Sequence, residues 1–105
     1  MPGRFRWLSA NDISIDNQSG QDVIEIDIIP HSGNEEYRIV AIPNGAVGRF
    51  TIHDLLFDGE LNVAGGSLRD GSRLQSSLLD IEGAHYHRRI RIIIGAGGKI
   101  RMIWE

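Results

Sequence analysis

Tyr86-His-Arg-Arg-Ile-Arg-Ile-Ile-Ile94, Gly95-Ala-Gly-Gly98 and Lys99-Ile-Arg-Met-Ile-Trp104 follow one another without a break. Two runs rich in β-branched residues around a glycine cluster predict a β-hairpin. A four-residue loop, Gly95 to Gly98, would set Ile94 opposite Lys99 and Ile92 opposite Arg101. That register mixes charged and apolar side chains on both faces, which a half-buried sheet disfavours. A three-residue loop, Ala96-Gly97-Gly98, instead sets Ile94 opposite Ile100, Ile92 opposite Met102 and Ile90 opposite Trp104. One face is then continuously apolar. Gly97 or Gly98 supplies the left-handed residue that such loops need, at no steric cost. The second face pairs Ile93 with Arg101, Arg91 with Ile103 and Arg89 with Glu105. Arginine and isoleucine alternate there, so this face is neither plain solvent nor plain core.

The same strand-and-turn grammar extends back along the chain. Asp12 to Asp16 alternates as a strand, and Asn17 to Gln21 is a turn. Val23 to Ile29 follows as a strand, with Ile24, Ile26 and Ile28 expected inward, and Pro30 ends it. After a loop over His31 to Glu35, Glu36 to Ile42 makes a third strand. Tyr37, Ile39 and Ala41 share one of its faces, Val40 and Ile42 the other. Pro43-Asn44-Gly45 is a turn. Val47 to His53 is a fourth strand, with Phe50 and Ile52 inward. Asp58-Gly59 signals a turn, Glu60 to Ala64 a short strand, and Gly65-Gly66 and Asp70-Gly71 breaks. An irregular segment then leads into a strand near 77–82. Seven or eight short strands spaced by turns predict a single-domain, all-β antiparallel sandwich, with a small open barrel as the alternative. Residues 1–11 read as an N-terminal arm and 12–105 as the sandwich domain. The outer face of the first two strands, read as a hairpin, is acidic (Asp12, Asp16, Glu25, Asp27). That of the last hairpin is basic. The two could pair within one sheet or meet between subunits.

Composition narrows the function classes. The chain has 105 residues and no cysteine, which excludes a disulfide framework, a thiolate nucleophile and cysteine-ligated metal. A net charge of -3 argues against general affinity for nucleic acid. Of the 11 basic residues, all but Lys99 are arginine. No apolar run approaches the ~20 residues of a membrane-spanning helix, and the N-terminal residues lack the apolar core of a signal peptide. A soluble, cytoplasmic protein is the expectation.

Chemistry-bearing motifs are sparse. His85 and His87 are one residue apart, which on a strand places their roots about 6–7 Å apart on one face. A metal site would need a further ligand from elsewhere, such as His53, His31, Asp54 or Asp80. No HExxH or Cys/His pattern accompanies the pair. Neighbouring Arg89 and Arg91 would also disfavour a dication. Surface or structural histidines are therefore the expectation, and a metal site at His85, His87 and His53 the alternative. No GxSxG elbow marks a nucleophilic serine. The glycines at 95–98 join strand to strand rather than strand to helix, which reads as a turn and not a phosphate cradle.

A non-enzymatic binding or assembly module is the expected function, with no cofactor. Its partner would be another protein or a second copy, met through Arg89, Arg91, Ile93, Arg101 and Ile103. Mixed arginine–apolar surfaces suit protein interfaces, where arginine is enriched and lysine depleted. A small metal-binding protein or enzyme is one alternative. A binder of a small anionic or carbohydrate ligand is another, since arginine forks hold carboxylates and phosphates bidentately.

Overall fold

The hairpin over His87–Trp104 forms in the register that keeps one of its faces apolar. In a computed structural model of the chain, which describes residues 10–30, 36–53, 59–81 and 87–104, Ile94 pairs with Ile100, Ile92 with Met102 and Ile90 with Trp104. The turn is one 3-10 step over Ala96–Gly98. Gly97 and Gly98 both take positive φ, at 73° and 82°, and the Gly95 N–H donates to the Lys99 carbonyl at 2.7 Å.

Among the described residues there are eight strands: β1 (Ala10–Asn17), β2 (Val23–Pro30), β3 (Tyr37–Ile42), β4 (Val47–His53), β5 (Gly59–Leu68), β6 (Ser77–Ile81), β7 (His87–Ile94) and β8 (Ile100–Trp104). They form two four-stranded sheets, ordered β4-β1-β7-β8 and β3-β2-β5-β6. The result is the expected all-β sandwich, mostly antiparallel, with β1 and β7 as its parallel pair. Among the described residues, no helix is long and apolar enough to cross a membrane.

The core comes from the two central strands of each sheet. Ile13 and Ile15 of β1 and Ile90, Ile92 and Ile94 of β7 face Val23, Ile26 and Ile28 of β2 and Leu61 and Val63 of β5. None is more than 1% exposed. Burying one such side chain contributes about 2–3 kcal/mol, so strand alternation alone orients both sheets.

Three expectations need correction. β1 and β2 do not form a hairpin. The chain crosses between sheets at Asn17–Gln21, so β1 lies between β4 and β7 while β2 lies between β3 and β5. Ile24 does not point inward; it is 49% exposed, and Val23 takes the core position. The cause is a bulge, since β2 shifts register against β5 between Val23 and Glu25. Opposite it, Ala41 adopts φ 59° and leaves the face of Tyr37 and Ile39, so that Ile42 turns inward. Finally, Gly65-Gly66 does not end a strand, because β5 runs through both glycines to Leu68.

Two devices tie the sheets together. Asn17, fully buried, donates from Nδ2 to the carbonyls of Gln21 (2.8 Å), Ile42 (3.0 Å) and Pro43 (3.1 Å). Its Oδ1 accepts from the Ser19 N–H at 3.1 Å and hydroxyl at 2.6 Å. One side chain thus fixes the β1–β2 crossing against the β3–β4 turn. Elsewhere, Arg73–Gln75 runs as a strap between the sheets. The Leu74 N–H donates to Gly66 O at 3.0 Å and the Gln75 N–H to Gly98 O at 2.8 Å. The Leu74 side chain is buried in the core.

Candidate binding surface on the outer face of the first sheet

The parallel pairing of β1 with β7 builds a charged face out of four strands. Residues of alternate parity point away from the core, and the register stacks them in rows. One row reads Thr51, Asp12, Arg89; the next Arg49, Ser14, Arg91, Ile103; the third Val47, Asp16, Ile93, Arg101.

The rows are electrostatically uneven. Asp16 is 8% exposed and accepts from Arg91 Nη2 at 2.7 Å and from Gln18 Nε2 at 2.8 Å. The Arg91 hydrogen bond holds its carboxyl below the usual carboxylate range, against the opposing effect of burial, with help from Gln18. Asp12 accepts from the Thr51 hydroxyl at 3.0 Å. Arg49, Arg89 and Arg101 are exposed. Beside Arg49 and Arg89 the face sinks into an open depression of about 440 Å³, bordered by Asp12, Ser14 and Thr51 among others.

The five residues expected to form an interface do share this face, but not equally. Arg101 and Ile103 of β8 are available, Ile103 being 39% exposed. Ile93 is only 7% exposed, wedged in its row between Asp16 and Arg101. Arg91 is engaged by Asp16. The acidic residues expected on a single face are divided. Asp12 and Asp16 belong to this sheet, whereas Glu25 and Asp27 lie on the other and flank Arg38 at 3.6 and 2.8 Å.

Of the expected metal-ligating positions, His53 and His87 are in register with Ala10 on its two sides. Two strand spacings put their backbones about 10 Å apart. Their side chains and the whole of His85 lie outside the described residues, as do His31 and Asp54. Among the described residues, no three His, Cys, Asp or Glu side chains gather in a metal-binding group.

No protein-family model matches the chain, and no curated protein matches its sequence. Its fold is similar to that of a protein from Eubacterium rectale determined by NMR. The TM-score is 0.59, covering 91% of this chain and 88% of that one. The two sequences are 15% identical, so the likeness concerns the fold alone.

Sequence reasoning did not single out Ser14, Arg49 and Thr51. They come from β1 and β4, and only the order β4-β1-β7 brings them beside Arg89. The one available signal was the alternation of Arg49 and Thr51 with Phe50 on β4.

Proposed function

We propose that this protein is a non-enzymatic assembly module in which the outer face of the first sheet docks on a second copy. The observation that carries this reading is a polarity between the two outer faces. On the first sheet, Arg49, Arg89, Arg91 and Arg101 outnumber Asp12 and Asp16. On the second, Glu25, Asp27 and Glu36 surround Arg38. Each face also exposes apolar side chains, Val47 and Ile103 on the first and Ile24, Val40 and Leu78 on the second. An apolar depression of about 450 Å³ beside Ile29, Ala64 and Leu78 offers Ile103 a seat. Opposite charge around apolar contacts favours one face of a copy on the other face of the next. Such a heterologous contact propagates into rings or filaments rather than closing as a two-fold dimer.

Sedimentation velocity and native mass spectrometry at low and high salt test the reading. Assemblies should form at low ionic strength and weaken as salt screens the exposed charges. Arg101→Glu and Ile103→Asp should shift the population to monomer with the thermal unfolding midpoint kept. A monomer under all conditions overturns the proposal. A second reading, metal binding through His53, His87 and His85, draws on the register of the first two around Ala10. The same spectra of protein purified without chelator test it by the extra mass of an ion.

A further inference from the structure

We infer that the depression between β4 and β7 is a binding site for a small oxyanion, a phosphate or a carboxylate, held by Arg49 and Arg89 over Ser14. The site shares Arg49 and Arg89 with the charged face of the assembly reading, but it needs neither Arg101 and Ile103 of β8 nor the second sheet.

Arg49 is in register with Ser14, and Arg89 with Asp12, on opposite sides of β1. Two strand spacings across and two residues along separate their Cα atoms by roughly 12 Å. An arginine side chain reaches about half that distance, so the two guanidinium groups can converge above Ser14. Both side chains are exposed, and among the described residues neither forms an ion pair or side-chain hydrogen bond. Arg91 behaves differently: in the same row as Arg49, it bonds to Asp16 at 2.7 Å. The face therefore keeps one arginine for structure and leaves two uncommitted beside a concavity.

The remaining groups define the ligand. Asp12 lies in the depression with its carboxylate accepting from Thr51. Among the described lining residues it is the one carboxylate beside two arginines, so that lining is net positive, which suits a small anionic head. The Ser14 hydroxyl lies beside the same concavity and can donate to an anion, whereas the Thr51 proton is committed to Asp12. A forked guanidinium on each side of a planar or tetrahedral oxyanion gives paired, charge-assisted hydrogen bonds. Arg-to-Lys exchange would keep the charge and lose the fork.

The test is a titration of the full chain, followed by amide NMR, with inorganic phosphate and separately with citrate. Saturable shifts at Ser14, Arg49, Thr51 and Arg89 are expected with one or both probes, and the stronger probe identifies the anion class. Arg49→Gln and Arg89→Gln should each weaken binding at least tenfold, while Arg69→Gln, an exposed arginine outside the site, should not. Unchanged thermal midpoints for the variants keep the comparison free of unfolding. Shifts that grow linearly without saturating, or equal affinity in Arg49→Gln, Arg89→Gln and wild type, would overturn the assignment. The assembly reading would survive that result, because its own variants lie at Arg101 and Ile103.

Discussion

Asp16 and Arg91 stand 75 residues apart in the chain and are joined by a 2.7 Å hydrogen bond across diagonal positions of a parallel strand pair. The bond keeps the Asp16 carboxyl below its ordinary pKa. A carboxyl depressed by folding stabilises the native state above the unfolded value of about 3.9, and the contribution disappears as pH falls through the folded value. Asp16→Asn should therefore cost about 1 kcal/mol at neutral pH. The gap between wild type and variant should narrow below about pH 4, which denaturant titrations at several pH values will read. A gap that stays constant down to the acid limit would contradict this account.

Asn17 satisfies three carbonyls at once from a fully buried position. Asn17→Ala would remove all three of these bonds and leave the buried Ser19 N–H without its acceptor, although Gln21 O keeps the Ser19 hydroxyl and Pro43 O the Ala46 N–H; each buried orphan costs about 1–3 kcal/mol. The expected loss of about 2–4 kcal/mol exceeds that of a typical surface substitution several-fold. Asn17→Asp is the sharper probe: it keeps the Oδ1 acceptor for Ser19 but replaces the Nδ2 donor with an oxygen facing carbonyls. It should be no better tolerated than alanine. Chemical denaturation of the two variants side by side decides the point.

Gly66 and Gly98 hold the strap at Arg73–Gln75 by having no side chain. A Cβ on Gly98 would lie 2.6 Å from the Arg73 carbonyl oxygen, and one on Gly66 2.7 Å from Leu74 Cδ1 and against the Glu25 carbonyl. Both residues also have positive φ. Gly66→Ala and Gly98→Ala should each lower stability by more than about 2 kcal/mol. Gly20→Ala and Gly71→Ala, which share the positive φ but meet nothing nearby, should cost only about 1 kcal/mol. Equal losses in the two pairs would show that backbone conformation alone, not the close approach of the strap, sets the requirement.

Ala41 stands at φ 59° opposite the β2 bulge, a conformation that an L residue reaches at a cost of about 1–2 kcal/mol. Ala41→Gly should therefore be neutral or raise the melting temperature, despite adding freedom to the unfolded chain. Ala41→Val should lower it, because a β-branched side chain tolerates this region poorly. A loss of stability in the glycine variant would mean that the Ala41 methyl group makes a contact worth more than the strain.

Local patterns made much of this architecture legible. The pairing of Ile92 with Met102 follows from loop length and the demand for one apolar face. The buried positions of Ile13, Ile15, Ile26 and Ile28 follow from period-two alternation. Ile24 escaped the rule because a bulge is set by how two strands meet, and Val23 and Ile24 are equally apolar to any local pattern. The membership of β1 and β2 in different sheets escaped it for a similar reason. Asn17–Gln21 carries the residues of a hairpin turn, and only the burial of Asn17 against Ile42 and Pro43 makes it a crossing. On the outer face, Arg91, Arg101 and Ile103 were visible within one hairpin. Arg49 and Ser14 became their neighbours only through a strand pairing that spans most of the chain.

The parallel pairing of β1 with β7 also imposes an order on folding. During synthesis β1 can pair with β4 early, whereas its other edge stays open until β7 has been made. The second sheet needs nothing beyond Ile81 and can close first. Contacts of such long sequence separation carry a large loop-closure cost before they repay it, and they slow folding. Until then Ile13 and Ile15 belong to a two-stranded ribbon with an exposed edge, a state prone to pairing with other chains. Removing the β7–β8 hairpin would therefore do more than shorten the protein: it would hold the chain permanently in that aggregation-prone intermediate.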